Sequence, residues 1–239
     1  MKKLLILFLA VSTLVGCRQP RNGFQFQIRK DIVSWTNGII EFRTDMNSND
    51  MRNDDLGFMA FVKCGNGHTI QMPDSYILGY GASCPMGTSG LYKDKDGYSQ
   101  AEILAQTEDK MVIHLHHDQW ELYEVPVSFD KQITLFRDSP IMAVIDYYVG
   151  AFELLNVAAG VATVQDCMIE EIENGYAIEY PNGVTSIIVM PQMEQKSFNE
   201  TRGSVFVTKE VTPDEPLRYY VGLSDKGKEY LLEELDKIL

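Results

Sequence analysis

The chain has 239 residues and a formal net charge of −13, enough length to bury a real core in one domain or one large sandwich. That acidity excludes nucleic-acid binding, which demands clustered Lys and Arg. It also argues against docking on anionic lipid through a basic surface, and its plainest reading is solubility.

The N-terminus has three parts. Lys2 and Lys3 supply a positive start, and Leu4 to Val11 is an apolar run too short to span a bilayer. Leu14-Val15-Gly16-Cys17 then looks like a bacterial lipobox, in which small residues precede a Cys whose thiol takes up a diacylglyceryl group. Residues 1–16 are therefore expected to be a lipoprotein signal peptide, with Cys17 lipidated as the mature N-terminus. The alternative is an ordinary secretory signal in which Cys17 is incidental. Residues 17–23, polar with Pro20 and Gly23, read as a tether, and residues 24–239 read as a single β-sandwich domain. The expected address is the cell envelope, anchored to the outer membrane by lipid only. The absence of an acidic cluster after Cys17 tilts the domain towards the periplasmic side.

Strand patterns follow, either period-2 or rich in β-branched and aromatic residues. They cover Phe24–Ile28, Ile39–Arg43, Phe58–Val62, Met111–His116, Trp120–Val127, Ile133–Phe136 and Ile141–Val149. Further runs are Val157–Val164, Tyr176–Glu179, Val184–Met190, Ser204–Lys209 and Leu217–Leu223. Turns are expected at Asn37-Gly38, Asp138-Ser139-Pro140, Asn174-Gly175 and Pro181-Asn182-Gly183. Asn47 to Leu56 and Gly79 to Gly97 read as loops, of the length that tends to be functional. From Lys228 onward, Leu231, Leu232, Leu235, Ile238 and Leu239 fall at helical spacing, so a terminal helix should cover a sheet face or edge. With Cys17 lipidated, Cys64, Cys84 and Cys167 remain, an odd count that permits one internal disulfide at most. Cys64 with Cys84 is the expected pair, and buried thiols are the equal alternative.

Several segments together resemble an uncharacterised family of Bacteroides-type envelope proteins with the galactose-mutarotase-like β-supersandwich. They are Ser34–Arg43, Ile77-Leu78-Gly79-Tyr80-Gly81-Ala82, Lys131–Pro140 and Tyr219–Gly227 followed by the helix. This chain has Thr44-Asp45 where the family usually carries Tyr-Gly after the Arg strand. The resemblance implies an all-β supersandwich with a short C-terminal helix and a carbohydrate-facing groove, but no particular reaction.

Candidate chemistry concentrates in Met111–Glu121, which holds three of the four histidines. On a strand, His114, His116 and Asp118 share one face while Ile113 and Leu115 enter the core. Such a face suits general acid–base work by His114 or His116, a divalent metal held by the His pair with Asp118, or plain solvation. No cofactor is required by the sequence. Arg43 offers a fork for a sugar carboxylate, as in a uronate. Trp35 and Trp120 offer flat faces for sugar rings, with core packing as the duller alternative. Tyr76 and Tyr80 flank the glycine-rich loop as a groove wall or as its anchors. The chain has no P-loop, GxGxxG, GxSxG or HExxH pattern. The expectation is a carbohydrate-active or carbohydrate-binding lipoprotein with a glycan ligand. If it is an enzyme, it is a lyase, hydrolase or epimerase. The alternative is a non-catalytic glycan-binding or structural envelope protein. The sugar and the oligomeric state are left open.

Overall fold

The computed structural model describes residues 23–46, 58–73, 78–87, 90–91, 97–122, 124–199, 203–213 and 215–239. The signal, Cys17, the 47–56 loop and Tyr76 lie outside them. Strands β1 (Gln25–Arg29), β2 (Ile32–Thr36), β3 (Ile40–Asp45), β4 (Met59–Lys63) and β5 (Thr69–Gln71) form an antiparallel sheet in chain order. Asn37-Gly38 turns β2 into β3, with Gly38 at a φ of 90°, a backbone open to a residue without Cβ. Asn37 is buried there. Its Oδ1 accepts the Ile39 and Ile40 N–H groups at 3.0 and 3.1 Å, while Nδ2 donates to the carbonyls of Phe136 and Ser139 at 2.8 and 2.7 Å. One side chain thus shapes a turn and pins the first sheet to the next layer.

The chain then alternates between two further antiparallel sheets. Strands β6 (Ala82–Gly87) and β7 (Gly90–Leu91) open a second five-stranded sheet. Strands β8 (Gln100–Gln106), β9 (Lys110–Leu122), β10 (Val125–Phe136) and β11 (Ile141–Gly150) build one half of an eight-stranded sheet. After β12 (Leu155–Ala162) returns to the small sheet, β13 (Met168–Ile172), β14 (Gly175–Glu179) and β15 (Thr185–Val189) extend the large one. Strands β16 (Gln195–Asn199) and β17 (Ser204–Val211) complete the small sheet, and β18 (Leu217–Ser224) inserts between β15 and β11. Helix α1 (Lys228–Asp236) follows.

One apolar cluster unites the inner faces of all three sheets, from Trp35 and Phe42 through Ile113 and Ile133 to Val157 and Val207. Layers of this kind bury the alternate residues of each strand. A second cluster places Leu231 and Leu235 of α1 on Ile141, Ile187 and Val189, so the helix covers the outer face of the large sheet. The all-β supersandwich with a short terminal helix is therefore the observed architecture.

Three details differ from the sequence expectation. Met111–His116 and Trp120–Val127 are not two strands. The polar stretch His117-Asp118-Gln119 continues β9 as a single strand, and the hairpin comes only between Leu122 and Val125. The Gly79–Gly97 loop contains β6 and β7. Cys64 and Cys84 are both buried but unbridged, and Cys167 is also a free thiol. Cys64 follows β4 of the first sheet whereas Cys84 sits within β6 of another, so the sheets themselves separate the expected pair.

Candidate functional site

Two polar groupings lie on opposite faces of the β9–β10 hairpin. Strand alternation sends Met111, Ile113, Leu115 and His117 into the core and turns His114 and His116 outward. Across the ladder, Asp130 of β10 pairs with His116, and Glu102 of β8 pairs with His114. The Asp130 Oδ1 lies 2.7 Å from His114 Nε2 and 2.8 Å from His116 Nδ1, so one carboxylate oxygen bridges both imidazoles. Glu102 stands 3.4 Å from His114 Nδ1 and Asp118 stands 3.6 Å from His116 Nε2. Ser99 Oγ donates to Asp118 at 2.9 Å. Burial pushes the Asp130 carboxyl up, but the hydrogen bonds and charge of His116 and His114 outweigh it and hold it below its ordinary value. The cluster orients both rings, keeps donors and acceptors at a half-exposed surface, and can hold or pass a proton. The metal arrangement that the His-x-His spacing admits is not formed: among the described residues no three His, Cys, Asp or Glu converge to hold an ion.

The inner face carries the second grouping. Lys131 and Asp146 are directly opposed in the β10–β11 ladder, and both side chains are 0% exposed. Lys131 Nζ donates to both Asp146 oxygens at 2.7 and 2.8 Å, to the Gly81 carbonyl at 3.1 Å and to Tyr219 Oη at 2.8 Å. Ser83 donates to Asp146 and lies 2.7 Å from Tyr148 Oη. The ammonium also sits 5.4–5.9 Å from the ring centres of Tyr219, Phe129 and Phe58. Burial lowers the Lys131 pKa, which the charge of Asp146 opposes. Burial and the same carboxylate push Tyr98, Tyr148 and Tyr219 well above their ordinary values. Around this network runs an aromatic shelf. His117 stacks on Phe129 at 5.2 Å, and Trp120 meets His117 edge-on at 4.9 Å. Tyr98 meets His117 edge-on at 6.2 Å.

Several expected binding residues do not join the His114–His116 surface. Trp35 is 1% exposed, packed against Phe42 and Phe58, and Tyr80 is 1% exposed with its hydroxyl on Tyr180 at 3.0 Å. Both are core residues that a sugar ring cannot reach, which corrects their reading as groove walls. Trp120 is half-buried on the inner side of β9, with its Nε1 unpartnered. Arg43 lies on the outer face of the first sheet, where its Nε donates to Glu41 at 2.7 Å and its guanidinium covers the Phe61 ring at 4.4 Å. That fork is already filled, and His114, His116 and Arg43 do not form one catalytic groove. Asp118 does sit beside His116.

Asp130, Lys131, Asp146, Ser83, Tyr98 and Tyr219 were not singled out from the sequence. Two of them were signalled there: Lys131 and Asp146 occupy core-phase positions between Phe129 and Ile133 and between Val144 and Tyr148. A charge in that phase must find a partner.

No protein-family model matches the chain, and no curated protein matches it. Among solved structures, the fold is similar to a heparan sulfate lyase from Pedobacter heparinus, with a TM-score of 0.51 and 14% identity over 87% of this chain and 36% of the lyase. It is also similar to a TPR-domain containing protein from Parabacteroides distasonis, with a TM-score of 0.52 and 7% identity over 82% of this chain and 47% of that one. The chain thus spans between a third and a half of these proteins, and at such identities the likeness is one of fold.

Proposed function

We propose that this chain is an envelope-anchored lipoprotein whose supersandwich binds a glycan without cleaving it. The observation that carries the reading is the outward His114–Asp130–His116 cluster with Asp118 and Glu102 around it. Sugar hydroxyls both donate and accept, and a half-exposed set of carboxylates and imidazoles on a rigid ladder matches them. The similar fold of a protein described as a heparan sulfate lyase supports a carbohydrate ligand as an analogy. Neutral oligosaccharides rank above uronates, because Arg43 is turned to Glu41 and three carboxylates surround the imidazoles. Cys17 supplies the anchor, on the periplasmic side of the outer membrane.

One observation favours a second, catalytic reading: the bridging carboxylate orients both imidazoles as an acid–base pair requires. A single screen separates the two. Binding and turnover are measured on neutral and uronate-containing oligosaccharides for the wild type, His114→Ala/His116→Ala and Asp130→Asn, with and without divalent metal. Retention of a neutral glycan that weakens at least tenfold in both variants, with no turnover, is the expected result. Turnover that falls in the variants replaces the binding reading with an enzyme. Ligand retention unchanged by either variant refutes the site, and no retained glycan at all leaves a structural envelope protein.

A further inference from the structure

The turn between β1 and β2 combines two features that the rest of the molecule keeps apart. Arg29 pairs with Ile32, so Lys30 and Asp31 form a two-residue turn, with Lys30 at a φ of 55°. Ile28 and Ile32 flank it, 48% and 41% exposed. Ile28 is in register with buried Val33 whereas Ile32 is in register with Arg29, so the two isoleucines project from opposite faces of the hairpin tip. The strand β1 is also an edge of its sheet.

Charge is distributed just as unevenly. Acids outnumber bases 34 to 21 in the whole chain, yet residues 18–30 carry Arg18, Arg21, Arg29 and Lys30 and no acid. The acids nearest the tip are Asp31 in the turn and Asp45, which is in register with Ile32 and has interactions of its own. Reach is sufficient. Eight residues separate Cys17 from Gln25, and at about 3.3 Å each they extend to about 26 Å, while β1 covers about 13 Å from end to end.

We infer that this hairpin tip is a membrane-docking surface, which sets Ile28 and Ile32 at the headgroup–acyl boundary and Arg29 and Lys30 against the phosphates of anionic phospholipid. The inference rests on the lipidated Cys17 of the proposed function for its location, and it goes beyond the lipid anchor by adding a second point of attachment. Two apolar side chains beside two long cationic ones form the combination that lies in an interface, with the cationic stems snorkelling to the headgroups. Acyl chains alone would leave the domain swivelling on its tether. A second contact fixes which face of the sandwich looks away from the bilayer.

The test uses the mature chain, residues 17–239, carrying Cys17→Ser so that no acyl chain contributes. Co-sedimentation is measured with vesicles mixed from phosphatidylethanolamine and phosphatidylglycerol and with vesicles of phosphatidylcholine. Several-fold greater retention on the anionic vesicles, weakening with salt, is expected. Ile28→Ser/Ile32→Ser and Arg29→Ser/Lys30→Ser should each lower it several-fold with unchanged circular dichroism, whereas Ile103→Ser/Leu104→Ser, at the exposed edge strand β8, should not. Equal retention on both lipids, or tip variants that sediment like the wild type, overturns the inference. Palmitate incorporation at Cys17 of the full chain in cells reads the anchor separately. Incorporation without vesicle preference sinks the docking surface alone, and vesicle preference without incorporation sinks the anchor alone.

Discussion

Replacing Lys131 with Met keeps most of the side chain's bulk and removes only its charge and donors, which makes it the sharpest probe of the buried network. The Gly81 carbonyl would keep the Tyr219 hydroxyl at 2.8 Å, so the main casualty is Asp146. Its carboxylate would stay fully buried with only hydroxyl donors, Ser83 and Tyr219. Breaking one half of a buried ion pair costs about 3–5 kcal/mol. In a chain of this size each kcal/mol moves the midpoint by about 2–4 °C, so thermal unfolding should fall by roughly 6–20 °C. Adding Asp146→Leu should recover part of that loss, because Ser83 and Tyr219 both retain other partners, Tyr148 and the Gly81 carbonyl. Urea unfolding of wild type, both single variants and the double variant yields the coupling, expected at about 1–3 kcal/mol. A Lys131→Met cost below about 1 kcal/mol, or strictly additive variants, would show that the pair does not hold the sheets as argued.

Other outcomes follow from the same geometry. The raised Tyr98, Tyr148 and Tyr219 hydroxyls contribute stability that is whole below their ordinary value of 10.0 and drains as pH climbs towards the higher folded values, so urea midpoints should drop in strong alkali. Lys131, lowered by burial, works the other way in that window, so Lys131→Met should steepen the alkaline loss. Asp130 has a lowered folded pKa, so its contribution is present above 3.8 and lost as pH falls through the lower value; Asp130→Asn should flatten the acid limb of a stability–pH curve. Gly81→Ala would set a Cβ 2.6 Å from Met142 Cε and 2.8 Å from Phe58 Cε2 at a φ of 69°, costing about 1–3 kcal/mol in urea unfolding. Leu231→Ala, which empties the seat of α1 on the large sheet, should cost about 2–5 kcal/mol by the same measurement.

How far the fold could be read depended on whether a strand has one wet face. The runs Ile141–Val149 and Leu217–Leu223 alternate cleanly or are buried on both sides, and both are strands of the large sheet. Strand β8 was invisible because Gln100–Gln106 is exposed along nearly its whole length, so no alternation marks it. The reverse error occurred at His117-Asp118-Gln119, where polarity suggested a turn. There His117 faces inward, 5% exposed among Phe129, Trp120 and Tyr98, while Asp118 and Gln119 stay wet, and the backbone runs straight through.

The site was legible only where it is local. His114 and His116 share a strand, so period-2 geometry alone sets them side by side. Asp130 completes the cluster from the neighbouring strand, and its register depends on the 122–125 hairpin and on the bulge between Val127 and Phe129. A one-residue change in that bulge would send Asp130 inward and Lys131 outward together, exchanging the two networks' central charges. The outward cluster and the buried ion pair are thus consequences of a single register. This gives the Lys131–Asp146 pair a role that its modest net energy does not: a slipped β10 would strand Asp146 without its cation, which excludes the alternative pairing. The polar face that the proposed glycan contacts is held in place by the charge hidden behind it.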